Sequence, residues 1–91
     1  MSIRHILVVD DEPDIRSLVK EILEDEGFNV AVAENASEAR RLVESFKPDL
    51  ILLDIWMPDI DGISLLKEWH EKNILSSPVV MMSGHGNVET A

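Results

Sequence analysis

Cysteine is absent from these 91 residues, which removes disulfides and thiolate metal sites from consideration. Basic side chains are scarce: eight Lys and Arg face eighteen Asp and Glu, for a formal net charge of −10. Nucleic acid and anionic membrane are both polyanions, so that balance argues against direct binding to either. It suits a cation site or a basic partner. No apolar run approaches the length of a membrane span. Met1-Ser2-Ile3-Arg4 passes at once into a short strand-like run that ends in acids, unlike a signal peptide. Cytoplasm is the expected location. The length fits one domain and excludes two, and no internal repeat, low-complexity segment or linker divides the chain.

The hydrophobic pattern alternates between short apolar runs and helical spacing. Ile6-Leu7-Val8-Val9 is a β-branched run ended by Asp10-Asp11, the mark of a strand buried on both faces. Pro13 suits the first turn of a helix, with Glu12 and Asp14 near its positive end. Ile15, Leu18, Val19, Ile22 and Leu23 share one face of that helix, and Gly27 ends it. Phe28 to Ala33 is a second strand. Asn35 caps the next helix, with Glu38 three residues on as in a capping box. Its stripe is Ala36, Ala39, Leu42, Val43 and Phe46, and Pro48 closes it. Leu50-Ile51-Leu52-Leu53, the most continuous apolar run, is a central third strand that ends in Asp54. Pro58-Asp59-Ile60-Asp61-Gly62 is turn chemistry. Ile63, Leu66 and Trp69 mark a third helix, widened by Leu65. Pro78 to Met82 is a fourth strand, followed by the loop Ser83-Gly84-His85-Gly86. Asn87 begins a fourth helix. The order βαβαβαβ implies a parallel sheet with right-handed crossovers and helices on both faces.

In such sheets ligands bind beyond the carboxyl ends of the strands. Asp10 and Asp11 end the first strand, Asp54 the third, and Ser83 follows the fourth. If the first and third strands are neighbours, three carboxylates meet at one rim and repel. A divalent cation relieves that conflict. Oxygen donors favour Mg²⁺, with Mn²⁺ also accommodated, and the lack of His or Cys among these acids argues against zinc. At such a centre an Asp can act as nucleophile and form an aspartyl phosphate. The Ser83 hydroxyl and loop N–H groups could donate to the phosphoryl oxygens.

Val8-Val9-Asp10-Asp11-Glu12-Pro13, Asp49 through Pro58, Asp61-Gly62 and Met82-Ser83-Gly84, in this order at successive strand ends, resemble the response regulator receiver domain. The resemblance implies a flavodoxin-like (CheY-like) doubly wound sheet with strand order 2-1-3-4. It implies that Asp54 is the phosphoacceptor. Asp10 and Asp11 would hold Mg²⁺ together with Asp54, Asp11 being the more direct ligand, and the backbone carbonyl of Trp56 would complete the set. Ser83 would be the hydroxyl switch, with Gly84 beside it, and Met57, Pro58 and His85 would flank the site, Trp56 and His85 at its variable positions. The run Val79 to Asn87 is similar to the nitrogen-regulation NtrC/NtrX type. In that type the receiver precedes an AAA+ ATPase domain acting on the sigma-54 polymerase and a DNA-binding domain. The implied partner is a sensor histidine kinase.

The family's domain continues into a fifth strand, bearing a lysine that pairs with the phosphoryl group, and a fifth helix. Neither can be placed here, and Lys20, Lys47, Lys67 and Lys72 fall on or near helices, so this chain supplies no catalytic lysine. Residues 1–91 are therefore expected to be a partial receiver domain, a self-modifying phosphoacceptor more than a turnover enzyme, with weakened phosphorylation. Self-association through the exposed edge of the fourth strand is also expected.

Plainer readings stand beside these. Asp10 to Pro13 alone would be a helix-start cluster. Asp59 and Asp61 read as turn formers, Ser83 alone as a loop serine, and Trp69 as core. Met57, Met81 and Met82 read as gap fillers, His5, His70 and His85 as solvated or structural, and Arg16, Lys20, Glu21 and Glu24 as a solvated helix face. A pseudo-receiver that takes no phosphate is opposed by the intact acids. A haloacid-dehalogenase-like phosphohydrolase needs a second Asp two residues after the nucleophile, where this chain has Trp56.

Overall fold

A computed structural model describes residues 3–55, 57, 59–72 and 77–82. The elements are β1 (His5–Val9), α1 (Pro13–Asp25), β2 (Asn29–Ala33), α2 (Ala36–Ser45), β3 (Leu50–Asp54), α3 (Gly62–Glu71) and β4 (Val79–Met82). The strands form one parallel sheet in the order β2-β1-β3-β4. The chain leaves β1 toward one side to build β2 and returns to its other side to build β3. That reversal is the switch point at which this architecture opens a crevice.

Alternation along the strands divides their side chains between two faces. Leu7, Val9, Ile51 and Leu53 join Ala36, Ala39 and Val43 of α2 and Leu65 and Trp69 of α3 in one core cluster. Ile6 and Val8 point the other way and are equally buried, on the face where α1 lies against β1 and β2. The expected stripe of α1 is therefore real but half covered: no residue of α1 is fully buried, and Leu18 and Ile22 remain 53% and 52% exposed. In α3 the buried positions are Gly62, Leu65 and Trp69, while Ile63 is half exposed. The apolar face is centred on Leu65, a shift from the Ile63–Leu66–Trp69 line read from spacing.

Local chemistry accounts for the helix ends. Asn35 accepts the Glu38 N–H at 2.9 Å. Glu38 in turn accepts from the Glu34 N–H at 3.3 Å, not from Asn35, so the capping box is displaced by one residue. Asp61 caps α3 by accepting the Ser64 N–H at 2.8 Å. Gly27 follows α1 at φ 97°, and Lys47 follows α2 at φ 53°. Both turn through the left-handed region, but Lys47 carries a Cβ into it.

The opposite end of the sheet is pinned by Asp49. Its carboxylate accepts the N–H groups of Arg4 at 3.0 Å and His5 at 2.9 Å, and its own N–H donates to the His5 carbonyl at 2.7 Å. The two backbone donors, His5 foremost, hold the Asp49 carboxyl below its usual range. An acid stabilised in its charged form contributes fully above its unfolded value, near 3.8, and loses that contribution as pH falls through the lower folded value.

Two outcomes follow for stability. Lys47→Gly raises the denaturant midpoint, with a gain of about 0.5–1 kcal/mol, because glycine relieves the left-handed strain. Asp49→Ala lowers the melting temperature most at pH 5 and above, and its deficit against the parent narrows as pH drops below about 4. A deficit that does not change with pH would contradict the pinning role.

Candidate metal centre

Three acids meet at the carboxyl ends of β1 and β3. The ladder runs one residue past β1, through the Asp10 N–H to the Ala33 carbonyl at 3.0 Å. Asp54 closes β3 opposite Met82 of β4. Because β1 and β3 pair in register, with Val9 opposite Leu53, the residues that follow arrive side by side. Asp10 is 3% exposed and Asp54 fully buried, while Asp11 is half-buried. One carboxylate oxygen from each of Asp10, Asp11 and Asp54 lies within 4.8 Å of the others. Asp11 Oδ1 and Asp54 Oδ2 are shielded from solvent.

The acids are held by backbone contacts. Asp10 Oδ1 accepts the Glu12 N–H at 2.9 Å, which turns the chain into α1. Arg16 donates from Nη1 to the Asp10 carbonyl at 2.8 Å and lies 3.8 Å from Glu34 through Nη2. Arg16 thus braces the loop, and the reading of it as part of a solvated face is corrected. Behind Asp54, Gly62 begins α3 so tightly that an added Cβ would collide with the Asp54 carbonyl and come within 3.0 Å of Ile55 Cα. Its N–H donates to the Ile55 carbonyl at 2.8 Å. That bond closes the loop leaving Asp54.

Asp59, read as a turn former, also reaches outside its turn. Its Oδ1 and Oδ2 accept the Ala36 N–H at the start of α2, at 3.2 and 3.1 Å. Farther along, Arg40 of α2 donates to Glu68 of α3 from Nε at 2.8 Å and Nη2 at 2.9 Å. That fork holds the Glu68 carboxyl below its usual range and raises the Arg40 guanidinium. Met57 and Ile60 of the same loop pack against the core. Trp56, Pro58, Ser83, Gly84 and His85 lie outside the described residues.

The donor set fits a hard dication. Every candidate ligand atom is a carboxylate oxygen, and such oxygens suit Mg²⁺ and Mn²⁺ more than softer metals. Burying this much negative charge is costly without a compensating cation. Lys20, Lys47 and Lys72 are placed elsewhere. Lys20 pairs with Glu24 within α1 at 3.0 Å. Lys47 and Lys72 follow the ends of α2 and α3, and so belong to the opposite edge of the sheet.

The response regulator receiver domain family matches residues 6–91. A nitrogen assimilation regulatory protein, NtrX of Azorhizobium caulinodans, is 50% identical over 91 residues, covering 94% of this chain and 19% of that protein. The chain thus spans about a fifth of the length of the NtrX and NtrX-like relatives it matches. The crystal structure of the NtrX receiver domain from Brucella abortus superposes with a TM-score of 0.80 at 49% identity, over 94% of this chain and 72% of that one. The receiver domain of Francisella response regulator 1452 gives 0.84 at 36% identity, over 96% and 71%.

The glycine contact yields a direct check. Gly62→Ala should cost about 1–3 kcal/mol by overpacking against the strand that carries Asp54, read as a lower melting temperature. An unchanged melting temperature would show that α3 can retreat without strain.

Proposed function

Since this chain belongs to the response regulator receiver domain family, we propose that it takes a phosphoryl group on Asp54 from a sensor histidine kinase and acts as a switch. The observation that carries this reading is the convergence of Asp10, Asp11 and Asp54, with carboxylate oxygens within 4.8 Å of one another, at the sheet's switch point.

Asp54 is the acceptor because it stands at the end of a central strand with its backbone packed under Gly62. A carboxylate oxygen of Asp54 forms the new P–O bond as the P–N bond of a phosphohistidine breaks, and the imidazole keeps the electron pair. Asp10 and Asp11, together with Asp54, would hold the charge-neutralising ion. Bound there, Mg²⁺ would offset charge on the transferring group and orient it. By resemblance to the family, the Trp56 carbonyl would complete the ligands and Ser83 with Gly84 would receive the phosphoryl oxygens, with Met57, Pro58 and His85 as the flanking positions. No lysine of the chain is assigned to the phosphoryl group, so transfer should be slow, by about 10²-fold, relative to a version extended with the remaining segment of the Brucella NtrX receiver domain.

On this reading residues 1–91 form one partial receiver unit of a cytoplasmic regulator. Its output is transcriptional, through AAA+ sigma-54 and DNA-binding domains of the NtrX kind. Among the described residues no helix is long and apolar enough to cross a membrane. The β4 edge, where Val80 is half exposed, is the surface for self-association.

Acetyl phosphate with Mg²⁺ should label the parent chain slowly and the extended version faster. Asp54→Asn should abolish labelling in both, and Asp11→Ala should reduce it sharply. Labelling of Asp54→Asn at the parent rate would refute the acceptor assignment.

A further inference from the structure

We propose that Asp59 is a positioning residue for the acidic centre, acting by tethering the loop that leaves Asp54 to the N-terminus of α2. The inference rests on the metal-centre reading and adds a part to it.

The loop begins at Ile55 and returns at Gly62, whose N–H donates to the Ile55 carbonyl at 2.8 Å. Closing its two ends leaves the tip to be held by other contacts. On the inner side Met57 and Ile60 pack against the core. On the outer side Asp59 accepts the Ala36 N–H with both carboxylate oxygens and the Ile60 N–H with Oδ1 at 3.0 Å. Ala36 and Asp59 are 23 positions apart, so this bond joins two separate crossovers of the fold. A carboxylate on a helix-terminal N–H is a charge-assisted bond that the helix dipole strengthens.

The tether is not simply the cap of α2. Asn35 already supplies that cap by accepting the Glu38 N–H. Asp59 takes a different donor, at the first helical position, and a local cap cannot fix a distant loop. One turn on, Arg40 is locked to Glu68 of α3 and feels the favourable charge of Asp59. The loop is thus held to the start of α2 by Asp59 and to the core by Met57 and Ile60. Its first residue donates from the Ile55 N–H to the Met82 carbonyl at 3.0 Å, next to the strand end that presents Asp54. A loose tip would let that strand end and its carboxylate wander. Groups that orient metal ligands from outside the ligand set typically tune affinity by about 10- to 100-fold.

Calorimetric titration with Mg²⁺, and with Mn²⁺ as a second probe, tests the tether without requiring phosphorylation. Asp59→Ala should weaken binding about 10-fold. Asp59→Asn, which keeps an acceptor oxygen but loses the charge, should restore most of the affinity. Ala36→Pro deletes the donor while keeping Asp59 charged. The backbone accepts proline at the first helical position, since Asn35 before it is already extended at φ −157° and ψ 176°, and because Ala36 is fully buried the melting temperature of this variant is measured beside its affinity. This variant should weaken binding as Asp59→Ala does, and it decides the question if Asp59→Ala does not fold. Asn35→Ala, a loss of the local cap, should lower the melting temperature and leave affinity unchanged. Equal weakening by Asp59→Asn and Asp59→Ala would reduce the effect to bulk charge and overturn the proposal. So would equal weakening by Asn35→Ala, or unaltered affinity in both Asp59→Ala and Ala36→Pro. A parent chain whose Mg²⁺ isotherm is unaffected by Asp11→Ala would instead overturn the metal-centre reading itself.

Discussion

The parallel pairing of β1 with β3 forces like charges together, and the rest of the site answers that fact. Each strand ends in acid, and register places the two ends side by side. Folding therefore gathers three carboxylates, which would repel one another, within 4.8 Å at one rim of the sheet. Apolar burial on both faces of β1 provides the driving force for holding them there, since Ile6, Leu7, Val8 and Val9 are all buried. The core and the site thus come from the same strands. A substitution that loosens the pairing of β1 and β3 should also disperse the acids.

The surroundings of the acids are built to keep the backbone fixed. Arg16 braces the carbonyl of Asp10, Glu12 donates its N–H to the Asp10 carboxylate, and Gly62 lets α3 begin directly against the Asp54 backbone. Asp59 adds a link from the loop beyond Asp54 to a different helix. Side chains that must meet an ion within tenths of an ångström gain from supports of this kind, because rigid scaffolding reduces the ordering cost at binding. The receiver family membership and this geometry agree: at one switch point, carboxylate oxygens of Asp10, Asp11 and Asp54 lie within 4.8 Å of one another, a set that could hold a metal ion.

Much of this was legible from the amino acids. Short apolar runs ending in acids identified β1 and β3, and Asn35 and Pro13 announced helix starts through chemistry that acts over a few residues. The convergence of Asp10, Asp11 and Asp54 required one assumption, that the two strands pair, and the sheet order bears it out. What escaped was of two kinds. Lys47 at positive φ carried no sequence mark, because the left-handed turn is imposed by the chain entering β3 under Pro48 and not by the residue itself. Arg16 and Asp59 looked like ordinary surface charge. Their partners, a backbone carbonyl and a backbone N–H, exist at every position and so leave no pattern to find. On α3 the Leu65 and Trp69 positions read from spacing are buried, while Ile63 stays half exposed.

The central claim is that the chain holds mutually repelling acids which a dication reconciles. Thermal unfolding with and without Mg²⁺, in the parent and in Asp54→Asn, tests it most directly. The account predicts that metal-free Asp54→Asn melts at a higher temperature than the metal-free parent, and that millimolar Mg²⁺ raises the melting point of the parent but not of the variant. A variant that is no more stable than the parent without metal, and that responds to Mg²⁺ as the parent does, would contradict it.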